Sequence, residues 1–345
     1  MRYPEFLKPG GIIGFAAPSF GCTTEPYRSA FENAKKTFTG MGYRIFEGEN
    51  CSKSDGIGIS TSPENCGREL TEIYTGDDCD VVISCGGGEL MCEILPFTDF
   101  ERIKQAKPKW FLGYSDNTNF TFTLNILADT AAIYGPCAPT FGMRKWHKAL
   151  QDTWDVLMGK CLKVSGFDLW ESESLKSEED PLAEYNLTEK KKLVLMNGRE
   201  AVGEVSMRGR LIGGCLDTLL TLIGTEYDRV SDFIKRYNED GIIWFLEACD
   251  LSVFQIRRGL WQMKKAGWFE GAAGFLFGRP MHFDEPEMGL DRHLAVKAHL
   301  EELGVPIIMD ADLGHLPPAM PVISGAVAQI DAVGDDISIE YLDIV

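Results

Sequence analysis

The sequence has few of the features that mark membrane, metal or redox proteins. Among its 345 residues no apolar run approaches the roughly 20 residues that span a bilayer. Residues 1–10 lack the apolar core and small-residue cleavage site of a signal peptide. The ten cysteines contain no Cys-x-x-Cys pair and the five histidines no His-Glu-x-x-His, so no zinc site is indicated. The sequence therefore predicts a cytoplasmic protein with reduced thiols and without metal or cofactor.

Basic residues are outnumbered by acidic ones, with 34 Lys and Arg against 52 Asp and Glu. The formal net charge is −18 at pH 7. Nucleic acids and anionic membranes bind to local positive potential, so neither is expected as a partner. A small anionic substrate held by a few cations is compatible with this charge. Residues 208–224 loosely follow Gly-x-Gly-x-x-Gly but lack the strand and acidic residue of a dinucleotide site, and we interpret them as a glycine turn into a helix.

Apolar strands alternate with helical segments in the first half of the chain. The predicted order is strand 11–17, helix 27–41, strand 43–47, helix 62–74, strand 80–84, short helix 89–95, strand 110–112 and a helix after Asn117. This alternation predicts a parallel, doubly wound α/β domain of the Rossmann or flavodoxin type over residues 1–150. Such domains place their sites in loops at the carboxyl ends of strands.

The pattern changes after about residue 145. Residues 168–192 are rich in Glu, Lys and Ser, so residues 151–200 are predicted to be a connecting segment with a long surface loop. Residues 201–345 are predicted to form a smaller mixed α/β domain with a β-rich tail. Its predicted elements are strands 241–247, 271–277 and 305–309, a helix at 255–266, and antiparallel strands at 325–331 and 337–342.

Ser115 lies where a strand turns into a helix, in the sequence Gly-Tyr-Ser-Asp-Asn. A serine on such a turn can present its hydroxyl beside the N–H groups of a helix start, as in the nucleophile elbow of acyl-transfer enzymes. The second glycine of the usual Gly-x-Ser-x-Gly elbow is missing. On this stretch alone, the interpretation of Ser115 as an N-cap residue is favoured over that of a nucleophile.

A serine nucleophile needs a base, and that base needs an orienting carboxylate. His315 follows an apolar strand and a glycine, and Glu247 ends a strongly apolar strand, where a lone carboxylate needs a partner. Taken singly, a capping or core histidine and a salt-bridged glutamate are interpretations at least as good as a catalytic role. The order Ser, Glu, His at strand ends favours a triad. A thiol nucleophile at Cys85, before three glycines, is a further alternative that no Cys-His spacing supports.

Further motifs cover nearly the whole chain. They are Ala16–Ser19, Gly86–Gly87, Leu95–Pro96, Asp99–Phe100, Pro108–Lys109, Gly113–Thr118, Tyr134–Pro136, Leu211–Gly214, Gly224–Thr225, Leu246–Glu247, Arg258–Leu260, Gly278–Pro280 and Gly314–His315. In these motifs the chain resembles the muramoyl-tetrapeptide LD-carboxypeptidase family of serine peptidases, including its microcin C self-immunity branch. The resemblance implies an N-terminal parallel α/β domain, a smaller C-terminal domain, and a cytoplasmic homodimer that needs no metal.

The resemblance also implies roles for individual residues. Ser115 is the implied nucleophile, His315 the base and Glu247 the orienting carboxylate. The implied oxyanion hole is built from backbone N–H groups, namely those of Asp116 and of Gly87 or Gly88. The expected substrate is a murein peptide with an L-to-D terminal linkage or a peptidyl-nucleotide. The competing class is a binding protein on the same fold that senses a murein fragment without turnover.

Substrate-binding residues are expected around this triad. Ser19 lies at a strand end, and Trp170 lies near the start of the long loop, where it could contact substrate or simply anchor the loop. A terminal carboxylate needs a cation, for which the candidates are Arg208, Arg210, Arg257 and Arg258. Cys215 stands where the family often has asparagine, and Cys85 where it often has arginine; either departure could alter the substrate pocket.

We predict that activity survives chelation, because no cluster with metal-ligand spacing is present in the sequence. Hydrolysis should proceed at an unchanged rate after dialysis against EDTA, and adding zinc should restore nothing. Inactivation by EDTA with recovery on adding zinc would contradict a mechanism without metal.

Overall fold

The structure is a computed structural model, which describes residues 1–344. Its internal contacts divide the chain into two compact units. The first unit comprises residues 1–161 and 173–186, and the second comprises residues 162–172 and those from 187 onward. The boundaries between these units therefore differ from the predicted domain boundaries at residues 150 and 200. The predicted architecture, a parallel sheet in the N-terminal part and a further sheet-rich domain after it, is confirmed.

The first unit alternates strands and helices as predicted. Its elements are β1 (Ile12–Ala16), α1 (Tyr27–Gly40), β2 (Arg44–Glu47), α2 (Pro63–Thr75), β3 (Val81–Ser84), α3 (Phe100–Gln105), β4 (Phe111–Gly113), α4 (Thr118–Ala128), β5 (Ala132–Tyr134) and α5 (Lys148–Leu157). Its five strands lie in the order β5-β4-β3-β1-β2, and every pair among them is parallel. Burial on both faces explains the mainly apolar sequences of β1, β3, β4 and β5, whereas the edge strand β2 is partly exposed and carries Arg44 and Glu47.

The register of β3 and β4 brings two turns together. Val82 pairs with Phe111 and Ile83 with Leu112, so both strands end at the same edge of the sheet. Below that edge, Phe111 packs edge-to-face on Phe120 of α4, with ring centroids 4.8 Å apart. The glycine turn after β3 and the serine turn after β4 are therefore neighbours, as expected at the carboxyl ends of parallel strands.

The second unit is built on a nine-stranded mixed sheet. Its elements are β6 (Lys163–Ser165), β7 (Leu169–Trp170), β8 (Glu189–Lys190), β9 (Val194–Asn197), β10 (Glu200–Ala201), β11 (Glu204–Cys215), α6 (Leu216–Leu222), α7 (Val230–Tyr237), β12 (Ile242–Glu247), α8 (Val253–Lys265), β13 (Ala272–Gly278), α9 (Arg292–Leu300), β14 (Pro306–Ala311), β15 (Val322–Ser324), β16 (Val327–Val333) and β17 (Asp336–Leu342). The strand order in this sheet is β10-β9-β14-β13-β12-β11-β16-β17-β6.

Parallel pairing at the centre of this sheet places the carboxyl ends of four strands at the same edge. The strands β11, β12, β13 and β14 run parallel to one another. Cys215 pairs with Glu247, and Gly278 pairs with Ala311, so the segment that follows β14 begins close to the end of β12. This arrangement positions the Glu247 carboxylate at the carboxyl edge of the sheet, next to the loop that carries His315.

In residues 208–224 the predicted helix is present, but the predicted glycine turn before it is wrong. The twelve-residue strand β11 runs through these glycines, and the helix that follows covers only Leu216–Leu222. The strand pairs antiparallel with β16 up to Arg210 and parallel with β12 from Arg210 onward. Gly213 has φ +150°, and a Cβ there would overlap the Phe245 carbonyl oxygen, so the glycines permit close strand approach.

Residues 168–192 are partly ordered by strand pairing. Leu169 and Trp170 pair with Lys190 and Glu189 in a two-stranded sheet. Between these strands the chain is irregular, as predicted, with Glu173–Asn186 counted in the first unit. Within residues 1–344, no helix is both long enough and apolar enough to cross a membrane.

We predict that Gly213→Ala destabilises the protein. The new methyl group would strain a backbone that favours glycine and press on the neighbouring strand, which should lower the free energy of unfolding by roughly 2–4 kcal/mol. Urea denaturation followed by tryptophan fluorescence measures this loss. Gly203→Ala is the matched control, since a Cβ at Gly203 meets nothing within 4 Å. Equal losses in the two variants would contradict the role given to Gly213.

Candidate active site

Ser115 sits on a strained turn between β4 and α4. Its φ is +64°, in the left-handed region that residues other than glycine seldom adopt. Helix N-cap residues have extended backbone, so the N-cap interpretation is wrong. The turn is held by the Ser115 N–H, which donates to the Tyr134 hydroxyl oxygen at 3.1 Å. A strained, half-buried serine at a strand-to-helix turn is the geometry of a nucleophile elbow.

The Gly86–Gly88 turn lies against Ser115. A Cβ built on Gly87 would stand 3.1 Å from the Ser115 hydroxyl oxygen and 3.8 Å from the Asp116 backbone nitrogen. The Asn117 side-chain amide ties the two turns together, because it donates to the Gly86 carbonyl oxygen at 2.8 Å and the Tyr114 carbonyl oxygen at 3.0 Å. The backbone of Gly87 and that of Asp116 thus lie close to the serine hydroxyl, as an oxyanion hole requires.

Asp116 is fixed by a set of hydrogen bonds that sequence reasoning missed. Its carboxylate accepts bonds from the Ser19 hydroxyl at 2.5 Å, the Met91 N–H at 3.0 Å and the Asn119 amide at 2.9 Å. Burial raises the pKa of the Asp116 carboxyl, while these bonds oppose the rise. The only signal in the sequence was an acidic residue directly after the serine, where polar side chains are usually solvated.

Ser19 lies in the loop after β1, as expected, but its side chain makes a different contact from the one expected. Its side chain is fully buried, and its hydroxyl donates to Asp116. The expectation that Ser19 contacts substrate is corrected on this ground. Ser19 instead holds Asp116 in place, and through Asp116 the start of the serine turn.

Cys85 is a poor nucleophile in this structure. Its side chain is 1% exposed, and burial raises the pKa of the thiol well above its usual range, with the thiols of Cys22 and Cys51 adding to the rise. The thiolate is the reactive form of cysteine, so a buried thiol with a raised pKa is unreactive. This environment disfavours the thiol alternative.

Glu247 and His315 form a buried pair within the second unit. The His315 Nδ1 lies 2.8 Å from the Glu247 Oε2, and the Glu247 side chain is 0% exposed. Two glycines make this approach sterically feasible: a Cβ on Gly314 would stand 2.8 Å from the Glu247 Cβ, and one on Gly278 would stand 3.1 Å from it. With Nδ1–H donated to the carboxylate, a neutral ring presents Nε2 as an acceptor.

The charge of Glu247 controls the ionisation of His315. Burial alone lowers the pKa of the His315 imidazole, but the Glu247 carboxylate outweighs it through its charge and hydrogen bond, and Cys249 contributes in the same direction. The pKa of His315 therefore lies well above its usual range. Cys249 follows Glu247 by two residues and was not singled out in the sequence.

The segment that leads to His315 is anchored by a second buried carboxylate. Asp312 is fully buried and accepts bonds from the Arg279 guanidinium at 2.7 Å and the Phe167 N–H at 2.7 Å, and Lys191 lies 3.3 Å away. The Asp312 carbonyl oxygen also accepts from the Met320 N–H at 2.8 Å. Two cations compensate the buried charge, which fixes the backbone three residues before His315.

Trp170 packs inside the second unit. Its ring is 7% exposed, lies 5.1 Å from the Phe283 ring in a T-shaped contact, and is covered by the Arg279 guanidinium at 4.9 Å. Its indole N–H donates to the Lys190 carbonyl oxygen at 3.3 Å. This packing favours the anchoring interpretation of Trp170, because little of the ring faces water.

The remaining predicted substrate contacts differ in their surroundings. Arg210 is 8% exposed, and its guanidinium is held by Asp240 at 2.6 and 2.8 Å and stacked 4.0 Å from the Tyr237 ring. This engagement corrects the expectation that Arg210 binds a terminal carboxylate. Arg208 is exposed on β11. Cys215 is 2% exposed and donates to Asp217 at 3.4 Å, so its thiol is part of the interior at the end of β11.

The structure thus places the predicted residues in two groups. Ser115, Asp116, Gly87 and Gly88 lie together in the first unit, and Glu247 and His315 lie together in the second. Within residues 1–344, no three or more His, Cys, Asp or Glu side chains are grouped so that they could hold a metal ion.

Two family models match the chain. The LD-carboxypeptidase N-terminal domain matches residues 13–135, and the LD-carboxypeptidase C-terminal domain matches residues 208–330. Together they cover more than half of the chain and contain Ser115, Glu247 and His315. This match confirms the family that the sequence motifs suggested.

Individual relatives agree with the family models. The chain is 26% identical to the microcin C7 self-immunity protein MccF of Escherichia coli, over 97% of this chain and 95% of that protein. It is 24% identical to the "Probable murein peptide carboxypeptidase" of Bacillus subtilis (strain 168), over 95% and 91% of the two chains. The solved structure of MccF in complex with aspartyl sulfamoyl adenosine has a TM-score of 0.82 at 22% identity, covering 99% of this chain and 98% of that one, which shows a shared fold.

We predict that Glu247→Gln lowers the pKa of His315, because the substitution removes the charge that favours the imidazolium. In histidine-detected NMR titrations, the His315 resonance should titrate above pH 6.5 in the parent protein and at a clearly lower pH in the variant. His147 is the internal control; burial lowers its pKa, and its titration should not change.

The same shift has a consequence for stability. Since the folded-state pKa of His315 is raised, the pair stabilises the fold fully below the unfolded pKa of about 6.5 and loses this contribution as pH rises through the folded value. Glu247→Gln should remove this pH dependence from the unfolding free energy. An unchanged His315 titration in the variant would rule out Glu247 as the cause.

Proposed function

We propose that this chain, which belongs to the LD-carboxypeptidase family, is a metal-independent serine hydrolase that cleaves its substrate through an acyl-enzyme. Membership of this family supports a peptidase-type function. The serine mechanism is our proposal, and the buried hydrogen bond between Glu247 and His315 is the observation that carries it. A carboxylate that orients an imidazole and raises its basicity is the arrangement a serine nucleophile needs.

The proposed first half-reaction forms an ester on Ser115. The Ser115 hydroxyl oxygen attacks the substrate carbonyl carbon while His315 Nε2 takes the hydroxyl proton. Glu247 stabilises the resulting imidazolium and keeps the ring oriented. The oxyanion accepts hydrogen bonds from the Asp116 N–H and from Gly87 or Gly88. Collapse of the intermediate expels the amine, which takes the proton from His315, and the acyl group remains on Ser115.

The proposed second half-reaction regenerates the enzyme. Water gives a proton to His315 and its oxygen attacks the ester carbonyl. The tetrahedral intermediate then releases the carboxylic acid, and Ser115 recovers its proton from His315. Since the imidazole must be neutral at the start of each step, the raised pKa of His315 implies activity that increases as pH rises through that value.

Two substrate classes suit this chemistry. One is a murein tetrapeptide with an L-to-D terminal linkage, and the other is a peptidyl-nucleotide of the microcin C type. The relatives named above point to one class each: the "Probable murein peptide carboxypeptidase" to the first, and the self-immunity protein solved in complex with aspartyl sulfamoyl adenosine to the second. A cytoplasmic location and a homodimer are part of the proposal.

The alternative function is a murein-fragment binding protein on the same fold. Such a protein would bind the murein fragment in the same place but would not hydrolyse it. The strain at Ser115 and the buried pair of Glu247 and His315 favour the enzyme, because a protein that only binds needs neither a strained serine nor a charged imidazole–carboxylate pair.

We predict that Ser115→Ala lowers turnover by at least about 1,000-fold and leaves the fold and substrate affinity nearly unchanged, as expected when a nucleophile is removed. The measurement is mass spectrometry of products formed from a murein tetrapeptide and, separately, from a peptidyl-sulfamoyl-adenylate. Isothermal titration of the variant measures binding, and circular dichroism checks its fold.

Cys85→Ser is the matched control, because it removes the alternative nucleophile beside the same glycine turn. A fluorophosphonate should label the parent protein at Ser115, and iodoacetamide should not inactivate it. Substantial turnover by Ser115→Ala would overturn the serine mechanism. Binding without products from either substrate in the parent protein would favour the binding-protein alternative.

A further inference from the structure

A groove runs between two helices of the second unit. It is lined in part by Arg257 and Arg258, which were candidates for a substrate carboxylate but have no role in the proposed reaction steps. It has a volume of about 860 Å³. One wall is a face of α8 and the other a face of α9 and the turn after it. The wall residues are Phe254, Arg257, Arg258 and Trp261 on one side and Leu294, Lys297, Ala298 and Glu301 on the other. Each set follows the spacing i, i+3, i+4, i+7, which places it on a single helix face.

The groove exposes large apolar side chains. Trp261 is 50% exposed, Leu294 is 44% exposed, and Met288, which lies at one end of the groove, is 96% exposed. Leu290 lines the same end and is buried. Clustered apolar side chains that remain exposed on a folded domain commonly mark a surface that another molecule covers.

The same groove is positively charged in an acidic protein. Arg257, Arg258 and Lys297 form no ion pair with any residue among 1–344. Burial lowers the pKa of His299, which also lines the groove, and the positive charges of Arg257 and Lys264 lower it further. With a net charge of −18 for the chain, unpaired cations around an apolar groove create a local field that attracts an acidic partner.

We propose that this groove binds an acidic amphipathic helix of a partner protein. Its apolar face would cover Trp261, Leu294 and Met288, and its carboxylates would meet Arg257, Arg258 and Lys297. Both walls are helices, so they offer side chains and no strand edge for backbone pairing. A bound segment must then satisfy its own backbone hydrogen bonds, which a helix does.

The dimensions and the charge narrow the choice of occupant. Each wall spans eight residues, whose seven rises of about 1.5 Å give a length of about 10 Å, which matches two turns of a bound helix. A second copy docked through the same face would bring its cations against those of the first copy, which electrostatic repulsion disfavours.

The test uses a fluorescein-labelled, hydrocarbon-stapled 16-residue peptide with leucine at one i, i+3, i+4, i+7 face and glutamate elsewhere. Fluorescence anisotropy should give saturable binding to the full chain, and binding should weaken as salt rises. The same peptide with lysine for glutamate should not bind. The variant Arg257→Glu/Arg258→Glu/Lys297→Glu and the variant Trp261→Ala should each raise the Kd at least tenfold.

The matched control is Lys36→Glu/Lys104→Glu/Lys160→Glu, which reverses the same number of positive charges at exposed lysines of the first unit and should leave the Kd within twofold. Circular dichroism confirms that each variant is folded. Equal binding of acidic and basic peptides, or equal losses in the control, would overturn the proposal. So would sedimentation showing that charge reversal in the groove dissociates a dimer, since the groove would then be a contact between copies.

Discussion

The hydrogen bond between Glu247 and His315 requires a charged carboxylate to lie where water does not reach, and much of the second unit serves that requirement. The carboxylate ends a strand in the middle of a nine-stranded sheet. Two glycines, Gly278 and Gly314, leave room for the histidine segment to come close. A second buried carboxylate, Asp312, holds that segment through Arg279 and Lys191. Removing one partner from such a network leaves a buried charge uncompensated, which is costly.

In the first unit, the serine turn must also be held in a fixed position, and hydrogen bonds from neutral and acidic groups hold it. The serine turn is fixed from one side by the Tyr134 hydroxyl and from the other by the buried Asp116, which Ser19 and Met91 hold. Parallel pairing of β3 with β4 is what places the glycine turn beside the serine. The serine turn of the first unit and the Glu247 carboxylate of the second each lie at the carboxyl ends of parallel strands.

Much of this arrangement could be predicted from the sequence, and the exceptions have physical causes. The strands β1 to β4 and the helix after Ser115 follow from apolar runs and periodicity, whereas the short strand β5 was not predicted. The glycines in residues 208–224 were predicted to form a turn, but they lie in a strand. Glycine occurs both in turns and in strands that another backbone approaches closely, and the sequence does not show which strand is the neighbour. The roles of Ser19 and Asp312 could not be predicted, since both depend on partners that are distant in sequence. For Arg210, sequence shows the charge but not that Asp240 already engages it.

The left-handed backbone conformation at Ser115 implies that the residue best for stability differs from the residue that the proposed activity needs. A residue with a side chain in this conformation costs of order 1 kcal/mol or more, and glycine would relieve that cost. A mutational drift governed by thermal stability alone would therefore replace the proposed nucleophile with glycine and gain stability as it lost activity. In thermostability libraries of this chain, enrichment of glycine at residue 115 would identify inactive clones.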